Sequence, residues 1–275
     1  MRVPSRFPVH VAAVFLATLG LGGCALPPFL AAEAPSTAHR IEALLPADFL
    51  LIGEQHDAPD HQRIEREAVE ALATRGQLAA LAIEMAEQGT DTGQLPNSAS
   101  EEQVRKALRW NDAGWPWQAY GPVVMTAVRA RVVVLGANLP RERMKDAMAD
   151  VSLDVQLSDD ALQAQRAAVR DGHCGALPEK QIQPMTRIQI ARDRAMAQTL
   201  MKARVPGKTV ILVSGAGHNA KALGVPQHLP TEVRVRAIRL AAGDSLSPEA
   251  AYDAEWHTPA VAPRDYCADF KATRH

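Results

Sequence analysis

Phe49-Leu50-Leu51-Ile52-Gly53-Glu54-Gln55-His56-Asp57 is the stretch on which the fold turns. Four apolar residues in a row, stopped by a glycine and followed at once by polar side chains, predict a strand buried on both faces. From Asp60 to Arg75 the pattern changes to a helical one, with Ile64, Ala68 and Leu72 on one face and Gly76 as the stop. Leu78 to Ile83 is a second apolar strand, and residues 86–98, holding Gly, Asp, Asn and Pro, predict a loop. Helices follow over Glu101 to Leu108 and Trp117 to Arg131, the second bent near Gly121-Pro122. Val132 to Leu135, Thr209 to Val213 and Val233 to Leu240 complete the strands. Apolar strands alternating with helices specify an α/β fold, a mostly parallel sheet flanked by helices. Residues 140–206 carry no strand signal. There Leu162 and Val169, then Ile188, Ala191 and Ala195, have helical spacing, which predicts a smaller helical insertion domain within an α/β domain of residues 38–275.

The chain of 275 residues carries 30 Lys and Arg against 31 Asp and Glu, a net charge of −1. That balance gives no electrostatic case for a nucleic-acid partner. A hydrophobic share of 47% with 22% charged residues excludes bulk disorder, and three cysteines do not make a disulfide scaffold. Residues 1–23 read as a secretory signal: Arg2 and Arg6, an apolar run from Val11 to Leu21, then Leu21-Gly22-Gly23-Cys24. The last four residues look like a bacterial lipobox, so Cys24 is expected to carry acyl chains as a membrane anchor, followed by a tether to about residue 37. Ala25 stands where an Asp would signal inner-membrane retention, so the expected location is the outer membrane, facing the periplasm of a Gram-negative-type bacterium.

In a parallel sheet every strand ends at one edge, where ligands bind. Strand one is followed by Gly53-Glu54-Gln55-His56, strand two runs into Glu84, strand three into Gly136-Ala137-Asn138 and strand four into Ser214-Gly215-Ala216-Gly217-His218-Asn219. Gly53 and Gly215 each open a Gly-x-x-His turn, where a glycine lets the chain swing off its strand. Carboxylates and imidazoles on one rim can ligate a divalent metal or act as a general acid and base. Helix capping and buried hydrogen bonds are the alternative use of the same residues. Ser214 to Gly217 lacks the Gly-Lys-Ser/Thr of a phosphate-binding loop, and a Gly-x-Ser-x-Gly nucleophile is missing.

Two further features bear on function. Trp110, Trp115, Trp117 and Tyr120 fall within one short block of a chain whose aromatic share is 4%. They fit either the walls of a flat apolar ligand, with a phenolate for ferric iron, or a small aromatic core. In an oxidising compartment Cys174 and Cys267 are expected to form a disulfide that ties the C-terminal tail to the helical insertion; a Cys/His metal site at His173-Cys174 is the rival.

Gly53-Glu54-Gln55-His56-Asp57, Ile83-Glu84-Met85, the Trp110 to Tyr120 block, Gly136 to Arg141, Gly172-His173-Cys174-Gly175 and Gly215 to Asn219 together resemble the ChaN-like family of haem-binding uptake lipoproteins. That family belongs with the Tiki and TraB proteins and, more distantly, the erythromycin esterases. The resemblance runs from about residue 40 to the C-terminus. It implies haem as cofactor and a role in iron and haem uptake, with haem iron held by a tyrosine. Carried over, Tyr120 is the first ligand and Trp115 and Trp117 cover the porphyrin; Tyr252 and Tyr266 are the other tyrosines. Arg187, Arg192 or Arg194 would meet the propionates. It also implies a homodimer in which two subunits bring their haems together. The wider superfamily implies the other reading, a metal-dependent hydrolase. There the motifs map onto Glu54, His56, Glu84 and His218, with His56, Glu84 and His218 holding a divalent metal.

Overall fold

The structure, a computed structural model, describes residues 35–245 and 251–268. The signal segment and the Cys24 anchor lie outside the described residues. Strands β1 (Phe49–Glu54), β2 (Leu78–Glu87), β3 (Val133–Asn138), β4 (Thr209–Gly215), β5 (Val235–Ala242) and β6 (Ala254–Thr258) form one sheet in the order β3-β2-β4-β1-β5-β6. Every pairing within it is parallel. The expected α/β fold stands.

The strands are apolar on both faces because both are covered. Leu50, Ile52, Leu81, Ile83, Ile211 and Val213 face one side, packed by α2 (Pro59–Thr74) and α4 (Trp117–Arg129). Phe49, Leu51, Ala80, Ala82, Val210 and Leu212 face the other, packed by Met196, Ala197 and Leu200 of α7 (Glu179–Ala203). Each fully buried Leu, Ile or Phe contributes about 1.5–3 kcal/mol, and this two-sided burial is why the strands read as continuous apolar runs.

Local signals set the helix ends. Pro59 opens α2, and Gly76, at φ +66°, closes it; the Gly76 and Gln77 N–H groups donate to the Ala73 and Leu72 carbonyls. In α3 (Glu101–Ala107), Ser100 and Gln103 form a reciprocal cap. α4 is one helix that continues through Pro122. The stretch between β3 and β4 is helical as expected: α5 (Met144–Ala149), α6 (Asp159–Gly172) and α7, with Leu139, Leu153, Leu162, Ile188 and Ile190 in a small core of their own. The sequence reading missed α1 (Thr37–Glu42), the short α8 (Ala216–Asn219) and edge strand β6. Among the described residues no helix is long and apolar enough to cross a membrane.

The strand order positions the site. From β1 the chain moves outward through β2 to β3 on the α2/α4 face. It then crosses back on the α7 face, and β4 inserts between β2 and β1. Loops leaving β1 and β2 therefore diverge from the loop leaving β4. The crevice between them is the ligand position of an open parallel sheet.

Candidate functional site

The three strands around that crevice deliver Glu54, His56, Glu84 and His218 to one place, as expected. Gly53 and Gly215 assist for a different reason from a sharp turn. A Cβ on Gly53 would lie 2.8 Å from the Ala216 Cα, so its absence lets α8 approach β1. A Cβ on Gly215 would lie 3.0 Å from His56 Nε2 and 3.6 Å from Glu84 Oε2, so its absence makes room for the imidazole.

Glu54 is buried and fully engaged. His56 Nδ1–H donates to its Oε1 at 2.8 Å, the Tyr120 hydroxyl donates to the same oxygen at 2.7 Å, and Gln62 Nε2 donates to Oε2 at 2.8 Å. Burial works against a charge on His56, but the bond to Glu54 and the charge of Glu84 outweigh it and raise its pKa. Beside this cluster lies Glu65, fully buried, with neither carboxyl oxygen hydrogen-bonded. Burial first, then repulsion from Glu54, pushes its pKa well up.

The second cluster centres on His218. Its Nδ1 lies 2.5 Å from Asp193 Oδ1 and its Nε2 3.5 Å from Glu84 Oε1; Glu84 Oε2 also accepts the Gly215 N–H at 2.8 Å. Burial opposes a charge on His218, yet the two carboxylates raise its pKa to about 10. Burial likewise opposes a charge on Glu84, but His218, His56 and the Gly215 N–H hold it at about 2. The result is an imidazolium clamped between carboxylates.

Both ring nitrogens of His218 thus face carboxylates. Among the described residues no group of three or more His, Cys, Asp or Glu is disposed to hold an ion. His56, Glu84 and His218 are brought together, but as a hydrogen-bonded network.

The aromatic block divides between two tasks. Trp117 is buried, its Nε1 donating to Glu101 Oε2 at 2.7 Å, and it stands edge-on to Trp110 at 4.9 Å. Gly121 lacks the Cβ that would strike the Trp117 indole. Trp117 thus ties α3 to α4. Tyr120, 2% exposed, points its hydroxyl into the Glu54 cluster, and burial together with Glu54 pushes the phenol pKa far up. Trp115 stands edge-on to His56 at 4.8 Å, and Trp115 and Tyr120 both border open space.

That space is a groove of about 710 Å³ lined by His56, Trp115, Pro116, Ala119, Arg264 and Tyr266 among others. The two C-terminal residues reach it because the segment after β6 returns across the sheet edge. It is tied there by a Cys174–Cys267 disulfide, which matches the expected pairing and leaves no thiol for a Cys/His site. Tyr266, 49% exposed, donates its hydroxyl to Asp57, and the Arg264 guanidinium stands 5.5 Å over its ring. Arg187 is far from this role, bonded to Asp154 at 2.7 and 2.8 Å; Arg192 and Arg194 do not line the groove either. Tyr252 donates to the Ala216 carbonyl at 3.0 Å.

Sequence reading missed Gln62, Glu65, Asp193 and Arg264. A signal existed for three of them. Gln62 and Glu65 fall on the apolar stripe of α2 with Ala68, Val69 and Leu72, and Asp193 falls between Ile190 and Ala197 on that of α7. A polar residue on a buried stripe points to a built site.

Three solved structures are similar to this chain, and the first of them shares its fold. ChaN of Campylobacter jejuni, a protein that binds haem cofacially, is similar with a TM-score of 0.64 at 22% identity, covering 75% of this chain and 86% of that one. The type III effector HopBA1 is similar at a TM-score of 0.41 and 17% identity, over 78% of this chain and 88% of its own. RRSP, a MARTX toxin effector domain from Vibrio vulnificus CMCP6, is similar at 0.40 and 13%, over 76% and 36%. Among curated proteins nothing matches. The model of the family described as haem-binding uptake, Tiki superfamily, ChaN matches residues 40–229, well over half of the sequence, and the chain belongs to that family.

Proposed function

We propose that this protein binds haem in the groove between Trp115 and the C-terminal segment, as part of iron and haem uptake. One observation carries the reading: the groove combines an apolar wall of Trp115, Pro116 and Ala119 with a phenol and a guanidinium on the opposite side. Its volume, about 710 Å³, is in the range of small-molecule sites. An iron porphyrin needs a flat apolar face, an axial donor and a cation for its propionates. Trp115 supplies the first, Tyr266 the second and Arg264 the third. Asp57, which accepts the Tyr266 hydroxyl bond, orients the phenol toward the groove. Bound haem supplies the iron coordination that the protein carries; the chain's own task is to hold it and to shield one face.

In the same proposal the groove leaves the second haem face open, and a second copy meets it there, giving a homodimer linked by its ligand. The Cys24 lipid anchor would keep that assembly at the outer membrane, facing the periplasm. Titration of residues 25–275 with ferric haemin tests the core of this reading. A saturable Soret shift with the charge-transfer band of tyrosinate-bound iron is expected. That band should vanish in Tyr266→Phe and persist in Tyr120→Phe. Saturable binding with the reverse pattern would move the ligand to Tyr120, and no saturable binding would refute the function.

A second reading has one observation in its favour: His56 is oriented by Glu54 through Nδ1, and its Nε2 faces the crevice. A carboxylate–imidazole pair of this kind is a general base for hydrolysis without a metal. Release of nitrophenol from simple esters by wild type, lost in His56→Gln, would support it.

A further inference from the structure

The far wall of the groove is a segment with little packing of its own. From Ala262 to Tyr266 every residue is exposed. The Tyr266 hydroxyl donates to Asp57 at the groove. Ordering a stretch of chain costs conformational entropy at every residue, and an exposed stretch buries little apolar surface to offset that cost.

A covalent tie fixes the end of that stretch. Cys267 adjoins Tyr266, and its partner Cys174 follows α6, whose Leu162 packs with Ile188 and Ile190 in the insertion core. Cys174 sits at φ +56° and Gly175 at φ +64°, a left-handed turn that a non-glycine residue rarely adopts. The turn closes α6: Gly175 N–H donates to the Arg170 carbonyl at 2.9 Å. A packed helix thus ends in an uncommon backbone conformation, with its cysteine joined to the residue next to the groove's phenol.

From this we infer that the Cys174–Cys267 disulfide is a positioning element of the binding groove, holding Tyr266 and Arg264 opposite Trp115. The inference rests on the haem reading above and assigns the helical insertion a task in it: α6 is the fixed post to which the ligand-bearing wall is tied. Tyr266 is the binding residue, and the cystine acts through it.

The test is a double-mutant cycle on residues 25–275, using ferric haemin as the probe. The paired Cys174→Ser, Cys267→Ser variant removes the tie and leaves no thiol to bind iron. Its helical content is expected to match wild type, because the described residues after β6 belong to none of the cores. Haemin affinity is expected to fall about tenfold or more, with loss of the tyrosinate charge-transfer band. Adding Tyr266→Phe to the paired variant should cost nothing further, since both act through one phenol. Wild-type affinity and band in the paired variant would overturn the inference, as would losses that simply multiply. Hydrogen exchange separates this from the haem reading itself. If wild type binds no haemin, the haem reading falls. The positioning claim is then decided by the amides of residues 55–57 and 264–268, which lose protection in the paired variant if the claim holds and stay unchanged if it does not.

Discussion

His218 shows how one side chain organises a site. It is charged because Asp193 and Glu84 face its two nitrogens, and they are tolerated in the interior because it is charged. Breaking a buried pair by removing one partner costs about 3–5 kcal/mol. His218→Ala is therefore expected to lower unfolding stability by about that amount, read by urea denaturation at pH 6. The effect has a pH window. With its pKa raised to about 10, His218 contributes fully below its ordinary value of 6.5 and loses that contribution as pH climbs through 10. Glu84, held at about 2, contributes fully above 4.5 and loses it as pH falls toward 2. The difference between wild type and His218→Ala should peak between pH 4.5 and 6.5. Glu65 runs the other way. Its raised pKa means that stability is lost as pH rises past the ordinary carboxyl range. Glu65→Gln should be near neutral at pH 4 and gain in stability over wild type as pH rises to 8. A variant less stable than wild type at pH 8 would show that Glu65 has a partner. At this scale the rim was legible: Glu54, His56, Glu84 and His218 follow strands, and a parallel sheet gathers strand ends. Which rings of the Trp110 to Tyr120 block face the core was not legible, because a one-dimensional cluster does not tell it. One turn of helix decides it.

Among elements, close backbone approach is the recurring device. A Cβ on Gly224 would sit 2.0 Å from the His218 carbonyl oxygen, and one on Gly53 would sit 2.8 Å from the Ala216 Cα. The first packs the turn after α8 against α8 and the second brings α8 onto the end of β1, where His218 is within reach of Glu84. Backbone cannot swing aside as a side chain can. Gly224→Ala is expected to destabilise the fold by about 1–3 kcal/mol, as overpacking does, and to disturb the His218 imidazole resonance. A variant with wild-type melting and an unchanged resonance would contradict the packing argument. The apolar strands were legible because two-sided burial leaves an unbroken run. β6 was not: Ala254-Glu255-Trp256-His257-Thr258 buries only Trp256, as suits an edge strand. The end of β2 was read as loop for its polar neighbourhood, yet Glu87 pairs with Asn138 past a bulge. His61 joins distant elements, its Nδ1 accepting the Gln55 N–H at 2.9 Å and its Nε2 lying 3.1 Å from the Thr258 hydroxyl.

At the scale of the whole molecule, the helical insertion and the C-terminal segment meet through one disulfide and thereby close a groove over the sheet edge. The pairing was legible because only two cysteines remain beside the proposed anchor. The groove was not, because Tyr266 and Arg264 lie more than 140 residues from Trp115 in sequence and nothing local says where a tail returns. A ligand-linked dimer has a direct consequence: sedimentation should show a monomer without haemin and a dimer when one haemin is bound per chain. A dimer of the same strength without haemin would refute that linkage. The central claim, however, concerns where the iron sits. Crystals grown with haemin and measured at the iron absorption edge would locate it. An anomalous peak between Trp115 and the Tyr266 hydroxyl is predicted. A peak anywhere else, at the His56–Glu84 rim or outside the groove, would contradict this account of the protein.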